Sequence, residues 1–450
     1  MGERLVVIGG DAAGMSAASQ ARRLRPDLQI VALEKGGRTS YSACGIPYLV
    51  SGAVDDVESL VARTPQEFRD RFRIDVRLRH EAVGIDLDAR TVEVRDLARD
   101  RTITIGFDQL MVGTGARPIR PALPGIDLPT IHGVQTLEDG ERLLEAARRS
   151  RCERVVVVGA GYIGLEMAEA FVERGAEVTV VEGERQVMRT LDEDMADLVA
   201  AAVRKHGIDL HLGTPVIAFE PGAVLTADGR FDADLVVLGL GVRPNSELAA
   251  DAGLATGVRG AIVVNRRQQA SADGVWAAGD CAESFHLVSQ RNLHIALGTV
   301  ANKQGRVAGV NIGGGYATFP GVVGTAVTKV CSTEVARTGL TEREAAVDGF
   351  RFVTSRIEST TRAGYFPGAA PITVKLVAER ETGRLLGGQI VGEEGAAKRI
   401  DVLATALSGR MTVHDLVDLD LSYAPPFAPV WDPVLVAARS AAAAVDADRR

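Results

Sequence analysis

At the usual ~100–200 residues per domain, a chain of 450 residues calls for about three domains rather than one core. Hydrophobic residues make up 46% and charged residues 24%, which excludes disordered and collagen-like classes. Lys plus Arg total 51 against 59 Asp plus Glu, a formal charge of −8 with no basic block, so nucleic acid is not an expected partner.

The run RLVVI, from Arg4 to Ile8, predicts a strand close behind Met1, with no basic region and apolar segment of a secretory signal. LVVIGGDAAGMSAASQARR then reads as strand, glycine-rich turn and small-residue helix, and IVALEK as a second strand ending in Glu34. The same unit recurs as RVVVVGAGYIGLEMAEAFVERG followed by EVTVVEGE. Dinucleotide binding explains this order. Glycine lets the backbone approach a pyrophosphate, the helix N-terminus offers oriented N–H groups, and the acid about 20 residues on accepts ribose hydroxyls. The second copy has all three glycines, Gly159, Gly161 and Gly164, with Glu182 as the acid. The first has Gly9 and Gly14 but Asp11 between them, and leans on Gly10, Ala12 and Ala13 being small. Glu182 favours the unphosphorylated ribose of NADH, while Arg185 is available for the 2′-phosphate of NADPH.

Between the copies, LMVGTGARPIRPALPG places Thr114 and Gly115 after a strand, and Pro118, Pro121 and Pro124 make a stiff crossover. LVVLGLGVRPN, with Gly241, reads as its returning partner, so that the second unit is inserted in the first. GVWAAGD gives a strand ending at Gly279 and Asp280, whose carboxylate suits a sugar-like chain. The uncharged stretch from Val307 to Thr328 is long enough to cross a bilayer, but Asn311, Gly313 to Gly315 and Pro320 make it read as a loop joining two domains. No membrane partner is expected. The tail ARSAAAAVDADRR reads as a frayed helix.

With these residues in place, the chain resembles the FAD-dependent pyridine nucleotide-disulfide oxidoreductases over nearly its whole length. The resemblance implies an α/β architecture of two Rossmann-like dinucleotide-binding domains, the second inserted in the first, plus a C-terminal α+β dimerisation domain. The implied divisions are 1–117 with 246–322 for FAD, 118–245 for NADH or NADPH, and 323–450 for dimerisation, which implies a homodimer. Gly9, Gly14, Glu34 and Asp280 would hold FAD, and Gly159, Gly161, Gly164 and Glu182 the nicotinamide nucleotide. Gly10, Ala13, Lys35, Ser42, Thr114, Gly115, Ile163, Gly241 and Gly279 complete the cofactor-binding positions.

The branch is set by SYSACGIPYLVSG, from Ser40 to Gly52, which holds one cysteine. A CxxxxC redox pair is excluded, since Thr39 and Leu49 occupy the positions five residues either side of Cys44. The segment resembles the single-cysteine branch of coenzyme A-disulfide reductases, persulfide reductases, NADH oxidases and peroxidases. Oxidases and peroxidases carry a histidine where this chain has Ala12. Coenzyme A-disulfide reductases use tyrosines of the partner subunit, matched here by Tyr365 in RAGYFPGAAP and Tyr423 in LSYAPPFAPVWDP. The family usually has Asn where Ala43 stands.

The working sulfur must be a thiolate, and Cys44-Gly45-Ile46-Pro47 is compatible with a helix start, which lowers a thiol pKa. Cys44 is therefore expected to cycle through a mixed disulfide with a small thiol or a persulfide, Tyr423 and Tyr365 stabilising the departing thiolate. An inert buried cysteine and an interface aromatic beside Pro425 and Pro426 are the bland alternatives. Cys152, Cys281 and Cys331 are taken as structural, and few, widely spaced cysteines favour a cytoplasmic location. The seven histidines show no ligand spacing, so no metal is expected. The leading reading is reduction of CoA disulfide or a related persulfide. NADH oxidation by O₂ is the alternative, followed by flavin-dependent reduction of a small carrier protein docked on Arg22, Arg23, Arg25, Arg148, Arg149 and Arg151. A non-catalytic redox sensor would need an interaction module for which the C-terminal part leaves no room.

Overall fold

The structure, a computed structural model, describes residues 2–149 and 152–448. Runs such as RLVVI and RVVVV are buried almost throughout. Strands with both faces covered form all-parallel sheets, and two are found here. The first sheet has the spatial order Val275–Ala277, Gln109–Val112, Arg4–Ile8, Gln29–Glu34, Asp75–Leu78. The second runs Asp209–Leu212, Glu177–Glu182, Arg154–Val158, Leu235–Leu238, Ile131–Gly133. All of the second sheet lies in sequence between two neighbouring strands of the first, so one unit is inserted in the other. Where the chain leaves and returns, Ala116–Pro118 pairs antiparallel with Val242–Pro244. The Thr114 hydroxyl donates to the Asn245 carbonyl, and the Asn245 amide donates back to the Thr114 carbonyl at 3.0 Å.

Helix α1 (Ala12–Leu24) crosses between the first two strands. Beside α2 (Ile46–Ser51) packs α3 (Tyr162–Glu173), the second unit's counterpart of α1. It is followed by α4 (Glu193–Lys205). Against α1 lies α5 (Gly298–Ile312), brought close by glycines: a Cβ at Gly305 would stand 2.2 Å from the Ala13 carbonyl oxygen, and one at Gly309 2.4 Å from that of Ala17. This corrects the two ends of the stretch from Val307 to Thr328 that read as a loop, while residues 313–325 are irregular as expected. Val307 to Ile312 are the last turns of α5, uncharged because Val307, Ala308 and Ile312 are buried, and Ala326 already begins a strand.

The third sheet is antiparallel, in the order Ala326–Val330, Thr333–Gly339, Leu385–Gly392, Pro371–Glu379, Phe352–Thr360. Helix α6 (Pro433–Asp448) covers its outer strands. The tail does not fray, because Val434, Ala437, Ala441 and Val445 repeat at helical spacing and are fully buried against Val374, Leu376 and Ile390. Arg449 and Arg450 lie outside the described residues.

A polar seam joins this sheet to the second unit. Asp192, at the N-terminus of α4, exchanges hydrogen bonds with Gln389, N–H to Oε1 at 2.8 Å and Nε2 to Oδ2 at 2.6 Å. Beside it Lys375, 6% exposed, meets Asp194 and Glu342 at 2.6 Å and Asp192 at 3.2 Å. Among the described residues no helix is long and apolar enough to cross a membrane.

Candidate active site between two nucleotide turns

The two turns share their glycine geometry at both ends. Gly9 and Gly159 adopt φ +106° and +104°, a region open mainly to glycine. A Cβ on them would lie 2.0 Å from the Gly113 oxygen and 2.6 Å from the Gly239 oxygen. A Cβ at Gly14 or Gly164 would stand 2.0 Å from the carbonyl oxygen of Gly9 or Gly159. The acids take the same partners: Glu34 accepts from the Gly10 and Gly36 N–H groups at 2.8 and 2.7 Å, and Glu182 from those of Ala160 and Glu184 at 2.8 and 2.9 Å. Gly113 and Gly239, which face the turns from the neighbouring strand ends, escaped the sequence reading. Their signal was a glycine directly after LMV and LVVL.

The middle position is different. Gly161 has an ordinary φ of −83° and a Cβ there would come no nearer than 3.9 Å to the Gly239 oxygen, so the backbone does not demand glycine. Asp11 fills that place in the first turn at φ −120° and accepts the Tyr41 N–H at 3.2 Å. Burial pushes its carboxyl up to about 6, and Glu34 and Asp280 add to the rise.

The other expected positions divide by role. Ala13 is buried, touching Gly279 and Gly305 where α1 meets α5. Lys35 is exposed directly after Glu34, and Ile163 packs beside the second unit's core. Gly115 and Gly241 have positive φ at the two links. Gly279 donates its N–H to Gln304 at 2.8 Å. Next to it, Asp280 has an Oδ1 that is buried without a hydrogen-bond partner, and burial pushes its carboxyl up to about 6. An acceptor left bare in this way fits a ligand hydroxyl.

Cys44 sits in the single turn Ala43–Gly45 just ahead of α2. Ser42 shapes that turn, donating its N–H to Leu60 and accepting from Gly45. The thiol is accessible, yet crowded enough that desolvation raises its pKa, and Glu166, Asp280 and Asp11 raise it further. The expected lowering by a helix start is not found. α2 has only six residues and Cys44 lies before its N-cap Gly45, so the dipole is weak while three carboxylates stand near. Asp280 belongs to the first unit and Glu166 to α3 of the second, so Cys44 lies at their junction. Sequence reading missed Glu166, which is held by the Thr328 hydroxyl at 2.6 Å and has its own pKa raised by burial. Its i, i+4 spacing from Tyr162, within the turn's own helix, was the available clue.

Tyr365 and Tyr423 are near enough on the third-sheet domain for Tyr365 to act on the Tyr423 phenol, and they are 79% and 46% exposed. Phe427, Val430 and Trp431 are exposed beside Tyr423 in sequence. Neither tyrosine is among the groups acting on Cys44 of the same chain. Cys281 is buried, with its thiol toward the Val112 and Ala278 carbonyls, and Cys331 lies in a strand-to-strand turn. Of the arginines proposed to dock a carrier, Arg22 is buried on the carbonyls of Phe72, Arg25, Pro26 and Arg73, and Arg25 pairs with Glu3 and Asp27. A docking face built on these two is therefore not present. Arg151 and the side chain of Arg149 lie outside the described residues.

Comparison with known proteins decides the family. The family model described as pyridine nucleotide-disulphide oxidoreductase matches residues 3–305, and that of its dimerisation domain residues 325–433. The chain is a pyridine nucleotide-disulphide oxidoreductase. Within that family, an NAD(P)H sulfur oxidoreductase (CoA-dependent) of Pyrococcus abyssi is 42% identical over 440 residues, 97% of each chain. An NADH oxidase of Methanocaldococcus jannaschii is 37% identical over 444 residues, covering 97% of this chain and 98% of the relative. The solved structure of an NAD-dependent persulfide reductase from A. fulgidus matches with a TM-score of 0.96 at 39% identity, over 99% of this chain and 84% of the other. Membership of the pyridine nucleotide-disulphide oxidoreductases implies FAD and NAD(P)H binding, and the unpartnered Asp280 oxygen and the two glycine cradles fit those groups.

Proposed function

We propose that the protein is a homodimeric, FAD-dependent NAD(P)H reductase of a small thiol disulfide or persulfide, with CoA disulfide the first candidate, acting through Cys44. The observation that carries this reading is an accessible thiol flanked by Asp280 of one nucleotide unit and Glu166 of the other. When bound, FAD supplies the two-electron relay between nicotinamide and sulfur. The turn from Gly9 to Gly14 and the start of α1 receive its pyrophosphate, Glu34 a ribose, and the bare Asp280 oxygen a hydroxyl of the sugar chain. The turn from Gly159 to Gly164, with Glu182, receives NAD(P)H in the same way.

Cys44 Sγ, as thiolate, attacks one sulfur of the substrate disulfide, forming a mixed disulfide and releasing one thiolate. Two electrons from NAD(P)H then restore Cys44 and release the second thiol, so that NAD(P)H, one proton and RSSR yield NAD(P)⁺ and two RSH. Tyr423, with Tyr365, is presented from a second copy of the chain and donates a hydrogen bond to the departing thiolate. Their closeness on an exposed aromatic edge supports that assignment. For the carrier group of a CoA substrate, Arg23 on α1 and Lys303 and Arg306 on α5 are exposed. The similarity to an NADH oxidase keeps O₂ as the second acceptor to be tested.

Anaerobic stopped-flow reduction by NADH and by NADPH, followed by CoA disulfide, CoA persulfide or O₂, separates these readings. A sulfur substrate should reoxidise the flavin rapidly in the wild type and not in Cys44→Ser. Equal reoxidation of both proteins by O₂ alone would sink the cysteine mechanism.

A further inference from the structure

Asp11 puts a carboxyl into the first turn where the second has Gly161. Its backbone is relaxed, so the residue is tolerated by the fold, but it sits between Gly9 and Gly14 at the mouth of α1. This is the surface on which a pyrophosphate must settle if the protein binds FAD as proposed above. The carboxyl is held there by the Tyr41 N–H at 3.2 Å. The charged groups acting on it are the carboxylates of Glu34, from the second strand, and Asp280, from the end of the strand Val275–Ala277; Tyr41 adds an uncharged phenol.

We propose that Asp11 links FAD binding to the uptake of one proton, so that the holoenzyme holds its flavin more weakly as the medium becomes alkaline. The inference rests on the FAD reading of the first turn. Its sign follows from electrostatics. The carboxyl is already raised to about 6 from the ordinary 3.8 by burial and its acidic neighbours. A pyrophosphate brings further negative charge against it and raises it again, so the flavin-bound form keeps a proton at pH values where the flavin-free form has lost it. The affinity therefore falls as pH rises from about 6, by at most about tenfold per pH unit for one proton. The second turn, with Gly161, has no such group.

The test follows flavin release from dilute holoenzyme by the fluorescence of free FAD between pH 5.5 and 8.5, in the wild type, Asp11→Asn and Asp11→Gly. Asn keeps an acceptor for Tyr41, so it guards against a mere loss of that contact. In the wild type the dissociation constant should rise about tenfold or more across the range, and in both variants this rise should shrink to whatever Glu34 and Asp280, present in all three proteins, impose. Slopes that are the same in all three proteins overturn the proposal. Purified wild type without flavin at any pH, and unable to take it up, would instead overturn the FAD reading itself. Absolute affinity does not enter, because only the dependence on pH distinguishes a titrating carboxyl from a structural one.

Discussion

The two nucleotide turns share the same glycine geometry at both ends and differ between them, where Gly10, Asp11, Ala12 and Ala13 correspond to Ala160, Gly161, Tyr162 and Ile163. At the outer glycines a single methyl would overlap a carbonyl oxygen, whereas at the middle position both Asp11 and Gly161 sit in open, ordinary conformations. The familiar three-glycine pattern thus mixes two demands: the outer two are required by the chain's own folding, and the middle one by what the turn must receive.

The largest effect expected is at the thiol that the two turns flank. Cys44→Ser should lower turnover of a disulfide substrate at least about 10³-fold. Reduction of the flavin by NAD(P)H, assigned above by proposal to the second turn, should stay within a few-fold. A parallel fall in both half-reactions, measured by stopped flow, would break the division of labour. Next, Gly14→Ala and Gly164→Ala each place a methyl 2.0 Å from a carbonyl oxygen and should cost about 3 kcal/mol of stability or more, read by thermal unfolding. Gly14→Ala should also empty the flavin, whereas Gly164→Ala should spare it and weaken NADH binding. Gly161→Ala sharpens the contrast. Its φ of −83° suits alanine, so stability should hold or rise by up to about 1 kcal/mol while the NADH dissociation constant increases several-fold. An unfolding temperature lowered as far as in Gly164→Ala would show that the middle glycine is structural after all. The smallest effect is electrostatic. Glu166→Gln removes a negative charge that raises the Cys44 thiol, so the pKa should fall and alkylation at pH 7.5 should quicken by about threefold. No change would mean that solvent screens Glu166 from the sulfur.

Much of this arrangement was legible in the sequence because its causes are local. Strand, turn, helix and acid follow one another within about thirty residues, and each residue's role depends on near neighbours. What stayed hidden depends on parts distant in sequence. Gly113 and Gly239 matter only because their strands lie beside the turns, a pairing across roughly a hundred residues in the first unit. The final turns of α5 read as part of a loop because Asn311, Gly313 to Gly315 and Pro320 punctuate the stretch, whereas the burial of Val307, Ala308 and Ile312 depends on distant segments. The raised Cys44 pKa stayed hidden because both the burial that desolvates the thiol and the carboxylates Glu166 and Asp280 come from other segments. Tyr365 and Tyr423 matched a family motif, but one chain does not show what they face.

The seam around Lys375 bears on how the molecule works over time. Lys375 and Asp192 are buried between the second unit and the third sheet, Asp194 and Glu342 reach the ammonium from the half-exposed rim, and Gln389 is locked to the start of α4. Sliding one body over the other would strand a charge away from both water and its partner, at a cost of about 3–5 kcal/mol. A hinge placed here would be slow and rarely visited. If the second unit exchanges a nucleotide as proposed, loops and side chains rather than a hinge at this seam are expected to move.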